Sequence, residues 1–220
     1  MTSARVPETH RTLDGRDYAA SFDRMQATLR SRGWLETRDV VGSGIDRGHA
    51  LEIGPGPGHL GLDWLAATSA TRLTGLDTST DMIERAAANA RASGLGERAR
   101  YVLGSAAAAP FADVSFDAVF SSRSLHEWLD PRTALAELWR VLRPGGRFYL
   151  SDLRRDLSVS VGRFLTSVMT DAVVRESLAA SIAAAYTRAE LAHLLAQTPF
   201  AAYPVVETGL GLQLAGVRTP

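Results

Sequence analysis

A chain of 220 residues with 45% hydrophobic and 22% charged residues carries enough apolar material for one full core and a small appendage, without a second domain. Its 24 basic residues balance 24 acidic ones, so bulk charge gives no attraction to nucleic acid or to an anionic membrane surface. Every basic residue is arginine and there is no cysteine, which excludes lysine Schiff bases, a phosphate-loop lysine, thiolate nucleophiles, disulfides and cysteine metal sites.

The first 30 residues lack the apolar stretch of a signal peptide, and no run of about 18 apolar residues suggests a membrane span. A cytoplasmic protein is the expectation. Asp17 to Arg32 places Tyr18, Phe22, Met25 and Leu29 at helical spacing, and Gly33 stands where a helix would stop. Trp34 to Val41 reads as a second short helix, and residues 42–48 as a connector. Residues 1–48 are too few to fold alone and are expected to cap a main domain spanning 49–220.

That domain opens on Leu51-Glu52-Ile53-Gly54-Pro55-Gly56-Pro57-Gly58-His59-Leu60-Gly61, a short buried strand, a glycine-rich turn and the start of a helix. Gly56, Gly58 and Gly61 spell G-x-G-x-x-G, and Asp77 follows about 20 residues on, as a dinucleotide site would require. Three features oppose a diphosphate. Glu52 brings an acid to the turn, Pro55 and Pro57 remove two N–H donors, and no arginine lies between Glu52 and Trp64. A ligand with a cationic centre, an amino group and a ribose diol suits this turn better.

The second strand runs from Arg72 to Leu76 and ends at Asp77; Thr78 and Asp81 have capping spacing for a helix that ends near Gly94. Arg100 to Leu103 is strand three, followed by Gly104-Ser105-Ala106. Phe116 to Ser121 is strand four. Ser122 to Leu129 then crosses the carboxyl end of the sheet, with Arg123 and His126 on the crossing. Asp130 and Pro131 start a helix as N-cap and first residue. Arg143-Pro144-Gly145-Gly146 stops it and turns into strand five, Arg147 to Ser151, with Asp152 at its end. Residues of about 153–186 form a helical insertion of one or two helices. Thr187 and Glu190 make a capping box, and Tyr203 to Glu207 with Leu212 to Val217 read as a final hairpin.

The string E-x-G-x-G-x-G, with Asp77 ending strand two, resembles the class I S-adenosylmethionine-dependent methyltransferases. The pair Leu125-His126 and the string Leu-Arg-Pro-Gly-Gly before strand five extend the resemblance. It implies an α/β fold: a doubly wound, mostly parallel seven-stranded sheet with N-terminal helices and an insertion after strand five. It implies S-adenosylmethionine as cofactor. Gly54, Pro55, Gly56 and Gly58 would wrap the methionine part and Asp77 would hold the ribose hydroxyls. Glu52 would orient the loop or reach the amino group through water.

By the same resemblance Thr78 and Met82 flank ribose and adenine, though Met82 also suits a core position. Ser105 replaces the family's usual acidic adenine contact, next to Ala106, and Ser121 joins the cofactor contacts. Tyr18 is either a lid contact or the first core residue of its helix. His126, with an unperturbed pKa of about 6.5, is either a general base or a packed loop histidine. Arg123 is either a substrate contact or a solvated cation. Asp152 either reaches the acceptor or pairs with Arg154 or Arg155. The implied reaction is methyl transfer to an oxygen, nitrogen or carbon of a small molecule; an NAD-dependent oxidoreductase and non-methylating chemistry on the same cofactor are the alternatives. No metal ion, nucleic acid or membrane partner is expected, and the chain would be a monomer or homodimer.

Overall fold

The structure, a computed structural model, describes residues 4–8, 15–169 and 171–219. Helices α1 (Arg16–Ser31) and α2 (Thr37–Gly42) precede β1 (Gly48–Ile53), α3 (His59–Ala67), β2 (Thr71–Asp77), α4 (Thr80–Ala92), β3 (Ala99–Leu103) and β4 (Phe116–Ser122). Then follow α5 (Pro131–Val141), β5 (Leu142–Leu153), α6 (Val159–Val168), α7 (Ala172–Ala184), α8 (Arg188–Leu195), β6 (Val206–Glu207) and β7 (Gly211–Val217). The strands form one sheet of seven in the order β3-β2-β1-β4-β5-β7-β6. Pairs from β3 to β5 are parallel, and β7 runs antiparallel to both β5 and β6. Strand order reverses between β1 and β4, and the crevice above their carboxyl ends is where such folds hold a ligand.

Alternate residues of the central strands feed two cores, as parallel strands covered on both faces must. Leu51, Ile53, Val119, Phe148 and Leu150 face α5 and α8, with Leu135, Leu138 and Leu191. Ala50, Ala118, Phe120 and Tyr149 face the other way, with Leu62, Trp64 and Leu65 of α3 and Val40 of α2. Glu52 is the exception on β1, a buried carboxyl in an apolar strand. Helix α1 packs against α3, α4 and α7, which brings the N-terminal segment over the crevice.

Several boundaries differ from expectation, each for a local reason. Ser79, not Thr78, caps α4, its hydroxyl accepting from Met82 N–H at 3.4 Å. Residues 143–146 do not lie outside strand five: Leu142 already pairs with Phe116 and Arg147 with Ala118, so four residues bulge between two rungs. Gly145 takes φ +75 there. Tyr203 is not in a strand: its N–H closes a turn onto Phe200 O at 3.0 Å and Pro204 has no N–H to pair, so β6 is two residues long. Asp130 caps α5 by accepting from Thr133 N–H, and the capping box of Thr187 and Glu190 forms in both directions. The insertion holds two helices, α6 and α7, capped by Ser158 and Asp171. No described helix is long and apolar enough to cross a membrane.

Candidate active site

The turn after β1 is built by left-handed glycines: Gly54, Gly56 and Gly58 have φ of +66, +52 and +82, where a side chain is strained. Each of their N–H groups is already engaged. Gly54 donates to Leu76 O at 2.9 Å, Gly56 to Asp77 Oδ2 at 3.0 Å and Gly58 to Pro55 O at 2.9 Å. Pro55 and Pro57 have no N–H. Residues 54–58 therefore offer no amide to a diphosphate, and the Asp77 carboxylate stands against the turn. Asp77 Oδ1 also accepts from Ser79 N–H at 3.0 Å. Burial pushes its pKa upward against the pull of these amides.

Above this turn lies a cavity of about 680 Å³. Gly54, Pro55, Gly56, Asp77, Thr78 and Met82 line one part of it, and Ser105 and Ala106 extend that wall. The Ser105 hydroxyl accepts from Ala107 N–H at 3.2 Å. Tyr18 lines the cavity from α1; its ring stacks on Phe22 at 5.7 Å and its hydroxyl lies 3.0 Å from the Ser177 hydroxyl of α7. Burial pushes the Tyr18 hydroxyl up to about 12, so it stays protonated.

Three expected contacts lie off the cavity wall. Gly58 is the N-cap of α3 and sits under the Tyr101 hydroxyl. Ser121 is buried between β1 and β4, where its hydroxyl donates to Ile53 O at 2.9 Å. Asp152 is buried beneath His126 and pairs with neither nearby arginine: Arg154 pairs with Asp156 and Arg155 with Glu190.

Glu52 also corrects the sequence argument. Burial, with the Asp77 charge nearby, pushes its carboxyl up to about 8, so it is neutral near pH 7. It does not repel phosphate by charge; what opposes a diphosphate at this turn is the lack of a free glycine amide.

On the opposite wall, the turn after β4 carries His126 and Glu127. Asp152 Oδ1 lies 2.7 Å from His126 Nδ1, and Asp152 Oδ2 accepts from His126 N–H at 2.6 Å. Nε2 points at Glu8 Oε2, 3.4 Å away, and Glu127 Oε1, 3.7 Å away. Burial alone would lower the pKa of His126, but Asp152, Glu127 and Glu8 together raise it to about 9. Its unperturbed value therefore does not apply. Partial burial raises the pKa of the Glu127 carboxyl, with His126 pulling the other way.

Arg123 reaches the cavity from a left-handed residue, φ +55, and its Nε lies 3.9 Å from Glu36 Oε1. Glu36 is a wall residue that sequence reasoning missed; its Oε2 accepts from the hydroxyls of Ser122, Ser151 and Tyr149. Glu127, beside a singled-out histidine, was within reach of a sequence argument. Nothing in the sequence links Glu8 to this turn.

Residues 51–150 match the family model described as a methyltransferase domain. The O-methyltransferase resE of Aspergillus sclerotiorum is 37% identical over 108 residues, 49% of this chain and 40% of that protein. The ubiquinone/menaquinone biosynthesis C-methyltransferase UbiE of Paracoccus denitrificans is 30% identical over 165 residues, 67% of this chain and 66% of that protein. The chain thus spans less than half of the first relative and about two thirds of the second. A Methanococcus maripaludis structure assigned as an S-adenosyl-L-methionine-dependent methyltransferase has the same fold, with a TM-score of 0.76 at 22% identity and 98% of both chains covered.

Proposed function

We propose that this chain, which belongs to the class I S-adenosylmethionine-dependent methyltransferase family, transfers a methyl group to an oxygen, nitrogen or carbon of a small-molecule acceptor. The observation that carries the reading is the state of the glycine turn: every amide of Gly54, Gly56 and Gly58 is spent, and the Asp77 carboxylate borders the cavity. A carboxylate with free lone pairs suits a ribose diol, and its charge suits a cation. The same facts oppose a nicotinamide dinucleotide, whose diphosphate needs free N–H donors.

S-adenosylmethionine, when bound, supplies a methyl group on a positively charged sulfur. Gly54, Pro55 and Gly56 would hold its methionine part, Asp77 its ribose, and Thr78, Met82, Ser105 and Ala106 its adenine side. Tyr18 and α7 cover the cavity and exclude water, which favours in-line transfer between pre-positioned partners. Arg123 and Glu36 offer a charged pair for orienting an acceptor. A histidine held near pKa 9 is a poor proton acceptor at neutral pH, so His126 serves better as a fixed group on the acceptor wall than as the base.

Calorimetry with S-adenosylmethionine and with NADH tests the cofactor reading. Binding of the first and none of the second is expected; the reverse would overturn it. Incubation with S-adenosylmethionine and a metabolite panel, followed by mass spectrometry, tests transfer, and a gain of one methyl group on an acceptor is the supporting result.

A further inference from the structure

We propose that Glu8, His126 and Glu127 form a binding site for one first-row divalent transition ion, opening on the cavity. His126 is the centre of the argument. Asp152 takes its Nδ1 at 2.7 Å, which leaves Nε2 as the free ring atom. A carboxylate behind a histidine, fixing its orientation and raising its basicity, is the usual backing for a metal-bound imidazole. The His126 side chain is 2% exposed, yet Nε2 has no hydrogen-bond partner among the described residues. It is aimed at the two glutamates.

The spacing fits an ion better than a direct contact. Nε2 lies 3.4 Å from Glu8 Oε2 and 3.7 Å from Glu127 Oε1, beyond the usual hydrogen-bond range. Ligands of a tetrahedral ion with bonds of about 2.0–2.1 Å stand roughly 3.4 Å apart. The three donor atoms all lie within 4.8 Å of one another.

One nitrogen and two carboxylate oxygens match zinc, manganese, iron or cobalt better than magnesium or calcium, which favour all-oxygen sets. Glu8 is held in place by its neighbours: Val6 N–H donates to Ala183 O at 3.0 Å, and Arg5 donates to His126 O at 2.9 Å. Three protein ligands leave a fourth position open, and Glu127, 39% exposed, lies on the cavity wall. That position suits an acceptor bearing an ionisable oxygen, a phenol or an enol. This last clause rests on the methyl-transfer reading; the cation site does not.

The test is titration of the chelator-treated full chain with Zn²⁺ by calorimetry, and with Co²⁺ by visible absorption. One saturable site per chain is expected, weakened at least tenfold in Glu8→Gln and in Glu127→Gln, and roughly 10–100-fold in Asp152→Asn through loss of the backing carboxylate. His193→Ala, on an exposed histidine elsewhere, leaves it unchanged. Because His126→Ala strands a buried acid and could unfold the chain, the half-exposed Glu127 is the primary variant, with its melting curve recorded beside it. No saturable binding by the wild type, or binding untouched in both glutamate variants, overturns the site. An ion that binds as described while no acceptor is ever methylated leaves the site standing and overturns the function instead.

Discussion

The carboxylate of Glu52 occupies the space into which a Cβ on Gly61 would project. The third glycine of the G-x-G-x-x-G string therefore answers to a buried acid, and to the Leu73 side chain beside it, beneath the turn. Gly61 lies in α3, where alanine would ordinarily add about 1 kcal/mol of helix stability. Overpacking costs about 1–3 kcal/mol. The expected outcome of Gly61→Ala is a net loss of up to about 2 kcal/mol in urea denaturation. Combining it with Glu52→Ala removes the carboxylate but leaves the Leu73 side chain in the same space, so a double-mutant cycle should recover only part of the loss.

The same acid makes stability depend on pH. Glu52 keeps its proton up to about pH 8 in the folded chain, against 4.5 for the group unperturbed. Between those values the folded state binds more protons than the unfolded one, so stability falls as pH rises. The slope is at most about 1.4 kcal/mol per pH unit. Glu52→Gln imitates the neutral carboxyl and lacks this slope. The variant should gain on the wild type steadily between about pH 5 and pH 8. The fall expected from His126, whose pKa is raised to about 9, is common to both chains and cancels in the difference. Parallel curves would show that Glu52 ionises normally.

The fold was readable because its signals are local. Short apolar runs such as Ala118-Val119-Phe120 and Phe148-Tyr149-Leu150 mark strands covered on both faces, and Asp130, Pro131, Thr187 and Glu190 mark helix starts by short-range chemistry. The closeness of the glycine turn and Asp77 was readable for the same reason, since they follow the ends of two adjacent strands. What failed needed distance or environment. Asp152 meets His126 only because β4 and β5 are neighbours that end together. Glu8 arrives from the far N-terminus. Glu52 looked like a negative charge because sequence shows an acid but not its burial, and burial decides its charge.

Asp77 is expected to discriminate ribose from charge. Asp77→Asn keeps one carbonyl oxygen for the Gly56 or Ser79 amide but loses the second acceptor and the charge. A hydrogen bond to a charged group contributes about 1.5–3 kcal/mol, so affinity for S-adenosylmethionine should fall roughly 10–100-fold by calorimetry. If the carboxylate acts on the ribose, S-adenosylhomocysteine, which lacks the positive sulfur, should lose as much. A loss confined to S-adenosylmethionine would mean that Asp77 acts on the sulfonium.

Arg123 separates backbone strain from acceptor binding. Its φ of +55 places an L-residue in the left-handed region, which costs about 1–2 kcal/mol. Its N–H donates to Ser151 O at 2.9 Å, which helps hold the backbone there. The guanidinium is partly exposed and 3.9 Å from Glu36, a pairing worth little for stability. Arg123→Gly relieves the strain and offsets part of the gain through a freer unfolded chain. Arg123→Ala keeps the strain. Glycine should therefore be more stable than alanine by about 1 kcal/mol in urea denaturation, while both variants lose the same guanidinium from the cavity wall. If Arg123 orients an acidic acceptor, both variants should raise its KM equally, by about tenfold, with little change in kcat. If the KM values instead follow the stabilities, the residue acts through the shape of the loop and not through its charge.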